Sequence, residues 1–114
     1  MILKIYHNKN VRKAKLTSIR LSKNKKYLIW EFTDAENRNV YRGITYSKII
    51  YGRKAYIWYS SLAGYFLPHS YTINLNSIIG KECFIVLDNK QLVAYLVPIY
   101  KQHGDINRDE DIFK

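Results

Sequence analysis

Tyr27-Leu28-Ile29-Trp30-Glu31-Phe32-Thr33 constrains this chain more than any other segment. In an extended backbone, successive side chains point to opposite faces, so Leu28, Trp30 and Phe32 share one face. Tyr27, Ile29, Glu31 and Thr33 share the other. Three large apolar groups on one side demand a sheet packed over a core, with Trp30 inside it. Asp34 to Asn39 then reads as a hairpin loop and Val40 to Tyr46 as the return strand.

The flanking segments complete a β-rich order. Val11 to Leu21 reads as a basic strand with Ala14, Leu16, Ile19 and Leu21 apolar, and the change of phase between Leu16 and Ile19 predicts a bulge. Ser22-Lys23-Asn24-Lys25 is a turn. Between Ser47 and Gly64, Ala55, Trp58, Tyr59 and Leu62 recur at helical spacing. The helix begins either at a Ser47 cap or after Gly52, the shorter version being preferred, and Gly64 ends it in a left-handed conformation. Trp58 and Tyr59 are expected in the core or plugging a barrel. Tyr65 to Ser77 reads as a loop. Ile78-Ile79-Gly80 leads into a buried strand, Glu82 to Leu87; Asp88-Asn89-Lys90 turns the chain, and Gln91 to Val97 forms the last strand before Pro98.

The order β-β-β-α-β-β predicts an all-β fold with one helix, a five-stranded OB-type barrel. A small SH3-like barrel or an α+β sheet also accommodates these elements, but neither so naturally places a helix between the third and fourth strands. The expected organisation is an N-terminal extension at 1–10, the domain at 11–100 and an acidic tail at 101–114.

Charge is distributed unevenly. Lys4, Lys9, Arg12, Lys13, Lys15, Arg20, Lys23, Lys25 and Lys26 fall in the first thirty residues, with no Asp or Glu among them, and the whole chain carries a formal charge of +10. Like charge at this density repels itself, which a polyanionic partner relieves. A solvated lysine-rich surface is the bland alternative. Tyr6, Tyr27 and Trp30 sit among these cations, and cations interleaved with aromatics suit a single-stranded nucleic acid, which needs phosphates neutralised and faces for unstacked bases.

Catalytic chemistry finds little footing. His7, His69 and His103 are scattered, with no Cys or carboxylate at metal-ligand spacing. Cys83 is the single cysteine and lies in an apolar run, where burial keeps a thiol inert. No glycine-rich phosphate loop occurs, so neither an enzyme nor a cofactor is expected. The apolar runs are too short for a membrane helix, and Met1 to Tyr6 too short for a signal peptide. With no disulfide available, cytoplasmic residence is the default expectation.

On an OB barrel the outer surface of the second and third strands binds single strands. The candidate nucleic-acid-binding residues are Lys13, Lys15, Arg20, Lys23, Lys25, Lys26, Tyr27, Tyr41 and Arg42. With Leu28, Trp30 and Phe32 inward, Tyr27 faces out. Tyr41 and Arg42 point to opposite faces, and alternation alone leaves open which is external. Tyr27 and Tyr41 could instead simply form a cross-strand pair.

Lys26-Tyr27-Leu28-Ile29-Trp30-Glu31-Phe32, Ser47 leading to a helix with Tyr56, Trp58 and Leu62-Ala63-Gly64, then Leu75 and Ile78-Ile79-Gly80-Lys81 together carry a resemblance. This pattern, spanning Val11 to Pro98, resembles small OB-fold single-stranded DNA-binding proteins of Gram-positive phages and mobile genetic elements. The resemblance implies DNA replication or recombination as the setting and brings no catalytic residue with it. Asp109-Glu110-Asp111-Ile112-Phe113 resembles the acidic, hydrophobic-tipped ends by which bacterial single-stranded DNA-binding proteins recruit replication enzymes, although here Lys114 follows. A plain solvated tail is the other reading. The expected partner is single-stranded DNA, with RNA left open, and no membrane. The rival class is a protein-interaction module, an accessory subunit or inhibitor of a nucleic-acid enzyme.

Overall fold

A computed structural model of the protein describes residue 1 and residues 10–64 and 73–99. Among these residues five strands, β1 (Val11–Leu21), β2 (Tyr27–Asp34), β3 (Val40–Tyr46), β4 (Glu82–Leu87) and β5 (Val93–Val97), form one antiparallel sheet. Their order is β3-β2-β1-β4-β5. The α-helix α1 (Lys54–Ala63) lies between β3 and β4 in the chain. The element order matches the expected one, but the sheet is not closed into a barrel: β3 and β5 are its two edges.

The inner face is built as the alternation of β2 requires. Leu28, Trp30 and Phe32 are buried, as are Leu16 on β1, Ile85 on β4 and Val93 on β5. Trp58 and Tyr59 of α1 join this core. Trp58 meets the rings of Trp30 and Phe32 edge-on, at centroid distances of 5.3 Å and 6.0 Å. Such edge-to-face contacts are worth about 0.5–1.5 kcal/mol each beyond the area they bury. The indole N–H of Trp30 would be costly to bury alone; it donates to Thr45 Oγ1 at 2.9 Å.

Gly43 on β3 explains how α1 comes so close. A Cβ there would collide with the Trp58 ring and lie 3.2 Å from Cβ of Val93 on β5. Only a residue without a side chain lets the helix tryptophan settle between the two edge strands.

The bulge in β1 falls where the change of phase predicts it, between Leu16 and Ser18. It leaves both Leu16 and Ile19 on the core side. The Thr17 hydroxyl is turned to the outer face, where it donates to the Glu31 carbonyl and lies 3.1 Å from Thr33 Oγ1. Leu16 also receives the Gly80 N–H on its carbonyl and donates to Lys81 O, which anchors the approach to β4.

Several boundaries differ from the sequence reading. Asp34 ends β2 rather than opening the loop. It is 3% exposed, and its Oδ1 accepts from the backbone of Glu36 and Asn37, so the side chain shapes the turn from inside. The helix takes the shorter version, with Arg53 at its N-cap and Gly64 left-handed at φ +86. Leu75–Ile78 forms a 3-10 turn where a loop is expected, because the Asn74 side chain caps it by accepting from Asn76 N–H. The last strand starts at Val93 instead of Gln91. Gln91 has positive φ and closes the Asp88 turn, where Asp88 Oδ1 accepts from Lys90 and Leu92. The N-terminal extension and the acidic tail lie outside the described residues, apart from Met1 and Asn10.

Candidate nucleic-acid interface

The outer face of the sheet carries Lys13, Lys15 and Arg20 from β1, Tyr27, Glu31 and Thr33 from β2, and Arg42, Ile44 and Tyr46 from β3. Strand pairing fixes this set. Tyr27 faces Tyr46, Glu31 faces Arg42 and Ser18 faces Glu31 across the ladders. Phe32 faces Tyr41, so Tyr41 lies on the inner side, half-buried and packed on the core. This removes Tyr41 from the candidate interface, and a Tyr27–Tyr41 pair does not form. Arg42 is the external one of the two.

In place of Tyr41, Tyr46 pairs with Tyr27. Their rings stack with centroids 5.5 Å apart and planes 25° from parallel. Tyr46 is 72% exposed and Tyr27 37% exposed, so the stacked pair stays accessible from solvent, chiefly at Tyr46. Next to it the β1–β2 turn, held by Ser22 and a left-handed Lys25, presents Lys23, Lys25 and Lys26.

The cations differ in how committed they are. Arg42 Nε donates to Glu31 Oε2 at 2.9 Å, and Arg20 Nε stands 4.0 Å from Glu31 Oε1. The hydrogen bond from Arg42 holds the Glu31 carboxyl below the ordinary carboxylate range; partial burial opposes this, while the charges of Arg42 and Arg20 reinforce it. Lys13 lies 3.8 Å from Glu82. Among the described residues, no ion pair engages Lys15, Lys23, Lys25 or Lys26. Those four are available to phosphates without first breaking an ion pair of that kind.

A groove of about 910 Å³ opens beside the tyrosine pair. One wall is the β1–β2 turn with Lys25 and Lys26; the other is the β3–α1 connection with Lys48, Arg53 and Lys54. Ile44 and Ile50 give it an apolar lining, and among the described residues no carboxylate contributes. Ser47 latches the two walls: its N–H donates to Lys26 O at 2.9 Å and its hydroxyl to Lys25 O at 2.7 Å. The sequence reading missed Tyr46 and this groove. A signal for Tyr46 existed, since a hairpin pairing Thr33 with Val40 must pair Tyr27 with Tyr46. No comparable signal existed for the groove, whose walls are two separate segments.

Among the described residues no group of His, Cys, Asp and Glu is placed to hold a metal ion. Cys83 points into the core, where burial pushes its thiol up to about 12, leaving little thiolate at neutral pH. All three histidines, and the tail residues Asp109, Glu110, Asp111, Ile112 and Phe113, lie outside the described residues. Among the described residues no helix is long and apolar enough to cross a membrane. The chain matches no family model, no curated protein and no solved structure.

Proposed function

We propose that this protein binds single-stranded nucleic acid, DNA in the first instance, on the outer face of β1–β3, with little sequence preference. The stacked and exposed Tyr27–Tyr46 pair beside the lysine-rich turn carries the reading. A base can stack on an aromatic face whatever its identity, at about 1–3 kcal/mol per base, while lysines hold the backbone and release condensed counterions. A duplex has its bases already stacked and offers nothing to the tyrosines.

An OB-type arrangement of the strands, left open between β3 and β5, is part of the same proposal. The strand order, the helix after β3, and the approach of the two edge strands at Gly43 and Val93 support it. Replication or recombination of a phage or mobile element is the setting proposed from the sequence resemblance.

The test is fluorescence titration of the tyrosines with oligo-dT, comparing wild type with Tyr27→Ala and Tyr46→Ala. Each variant should bind more weakly while melting close to wild type. Unchanged affinity in both would remove the stacking platform from the proposal.

A further inference from the structure

We propose that the groove between the β1–β2 turn and the start of α1 is a nucleotide subsite, so that the bound strand runs from the tyrosine pair towards the helix. This inference rests on the single-strand reading and assigns to it residues outside the strands: Lys48, Ile50 and Arg53.

Three observations carry it. First, Tyr27 and Tyr46 line the groove as well as the outer face, so a base stacked on the pair delivers its neighbour to the groove mouth. Second, the charge is one-sided. Among the described residues five cations line the walls and no carboxylate does, which gives a positive potential over an apolar lining. A nucleotide matches that combination, its base against Ile44 and Ile50 and its flanking phosphates towards the two cationic walls. Third, the volume of about 910 Å³ falls within the range of roughly 300–1,000 Å³ common for small-molecule sites.

The walls are also held in place. Ser47 bonds to both Lys25 and Lys26, so the groove does not depend on its occupant to form. Lys54 is partly committed elsewhere, its ammonium lying 4.9 Å from the centroid of the Trp58 ring. Lys48 and Arg53 are exposed and are the cations of that wall to test.

The experiment is oligo-dT titration of the full chain at several salt concentrations, with Lys48→Ala/Arg53→Ala and, separately, Ile50→Ala. Both sets of positions are exposed, and thermal melting will show that the variants remain folded. If each cation holds one phosphate, counterion release predicts a loss of roughly 10- to 30-fold at about 0.1 M salt, with the log-log salt slope shallower by about 1.4. Ile50→Ala should weaken binding by a few-fold without changing the slope.

Wild-type affinity and slope in the double variant, while Tyr27→Ala still weakens binding, would overturn the groove assignment and leave the platform standing. Loss of binding to a synthetic acidic peptide with retained oligo-dT affinity would overturn it in favour of a protein partner. A wild-type protein that binds no oligonucleotide would overturn the functional reading itself, and this inference with it.

Discussion

Glu31 is a carboxylate set among cations on a face proposed to meet phosphates, and it restrains Arg42 and Arg20. Glu31→Gln would release both guanidinium groups. We expect tighter oligonucleotide binding with a steeper salt dependence, read by titration at two ionic strengths; weaker binding would mean that Glu31 positions Arg42 for the ligand. The same carboxylate also links stability to pH. Because the folded Glu31 ionises below the ordinary value of about 4.3, its ion pairs contribute full stability above that value. This contribution is lost as pH falls through the lowered folded value. A plot of melting temperature against pH should therefore drop more steeply for wild type than for Glu31→Gln in that acidic window. The aromatic residues divide differently. Tyr27→Ala should cost about 1–3 kcal/mol of binding and only about 0.2–1 kcal/mol of stability as an exposed cross-strand pair. Trp30→Ala should cost about 3–5 kcal/mol of stability as a large core truncation. If denaturant melts rank Tyr27→Ala as the more destabilised, the two faces of β2 have been exchanged.

Among the elements, β3 shows most clearly what alternation reveals and conceals. In β2 the inward residues are the bulky apolar ones, so its face is legible from the sequence. In β3 the contrast is inverted: Tyr41, Gly43 and Thr45 point inward, while Val40, Ile44 and Tyr46 point out. Trp58 takes the space at Gly43, and the Trp30 indole requires the Thr45 hydroxyl, so polar and small residues occupy the core side. Hydropathy cannot assign such a strand; its register with β2 can. The bulge in β1 and the left-handed end of α1 were legible because each leaves a local mark, a change of phase or a glycine. The groove was not, because the contacts of Ser47 with Lys25 and Lys26 join segments more than twenty residues apart. A direct test of the hairpin–helix contact is Gly43→Ala. A methyl group there meets a rigid ring rather than a flexible tip, and overpacking of this kind typically costs about 1–3 kcal/mol. Adding Trp58→Phe should recover part of the loss, so the double variant in denaturant melts should be less destabilised than the two singles summed. Additive losses would place the strain elsewhere.

For the molecule as a whole, the helix and the core lie on one side of the sheet, and the tyrosine pair with most of the candidate cations on the other. On the proposed reading Gly43→Ala tests the core side and Tyr27→Ala the outer face, while the groove lies where the β3–α1 connection meets the tyrosine pair. The formal charge of +10 by itself would favour any polyanion, duplex included. On the proposed reading the tyrosine pair makes the difference, because stacking rewards only bases that are free to leave their own stack. The most direct test is to titrate wild-type protein with oligo-dT and with a duplex of equal length across a range of salt concentrations. With about three to five phosphates neutralised, the single strand should show a log-log slope of about −2 to −3.5 and should bind more tightly than the duplex at moderate salt. Tighter binding of the duplex at moderate salt would contradict the account, reducing the open face to a general basic surface.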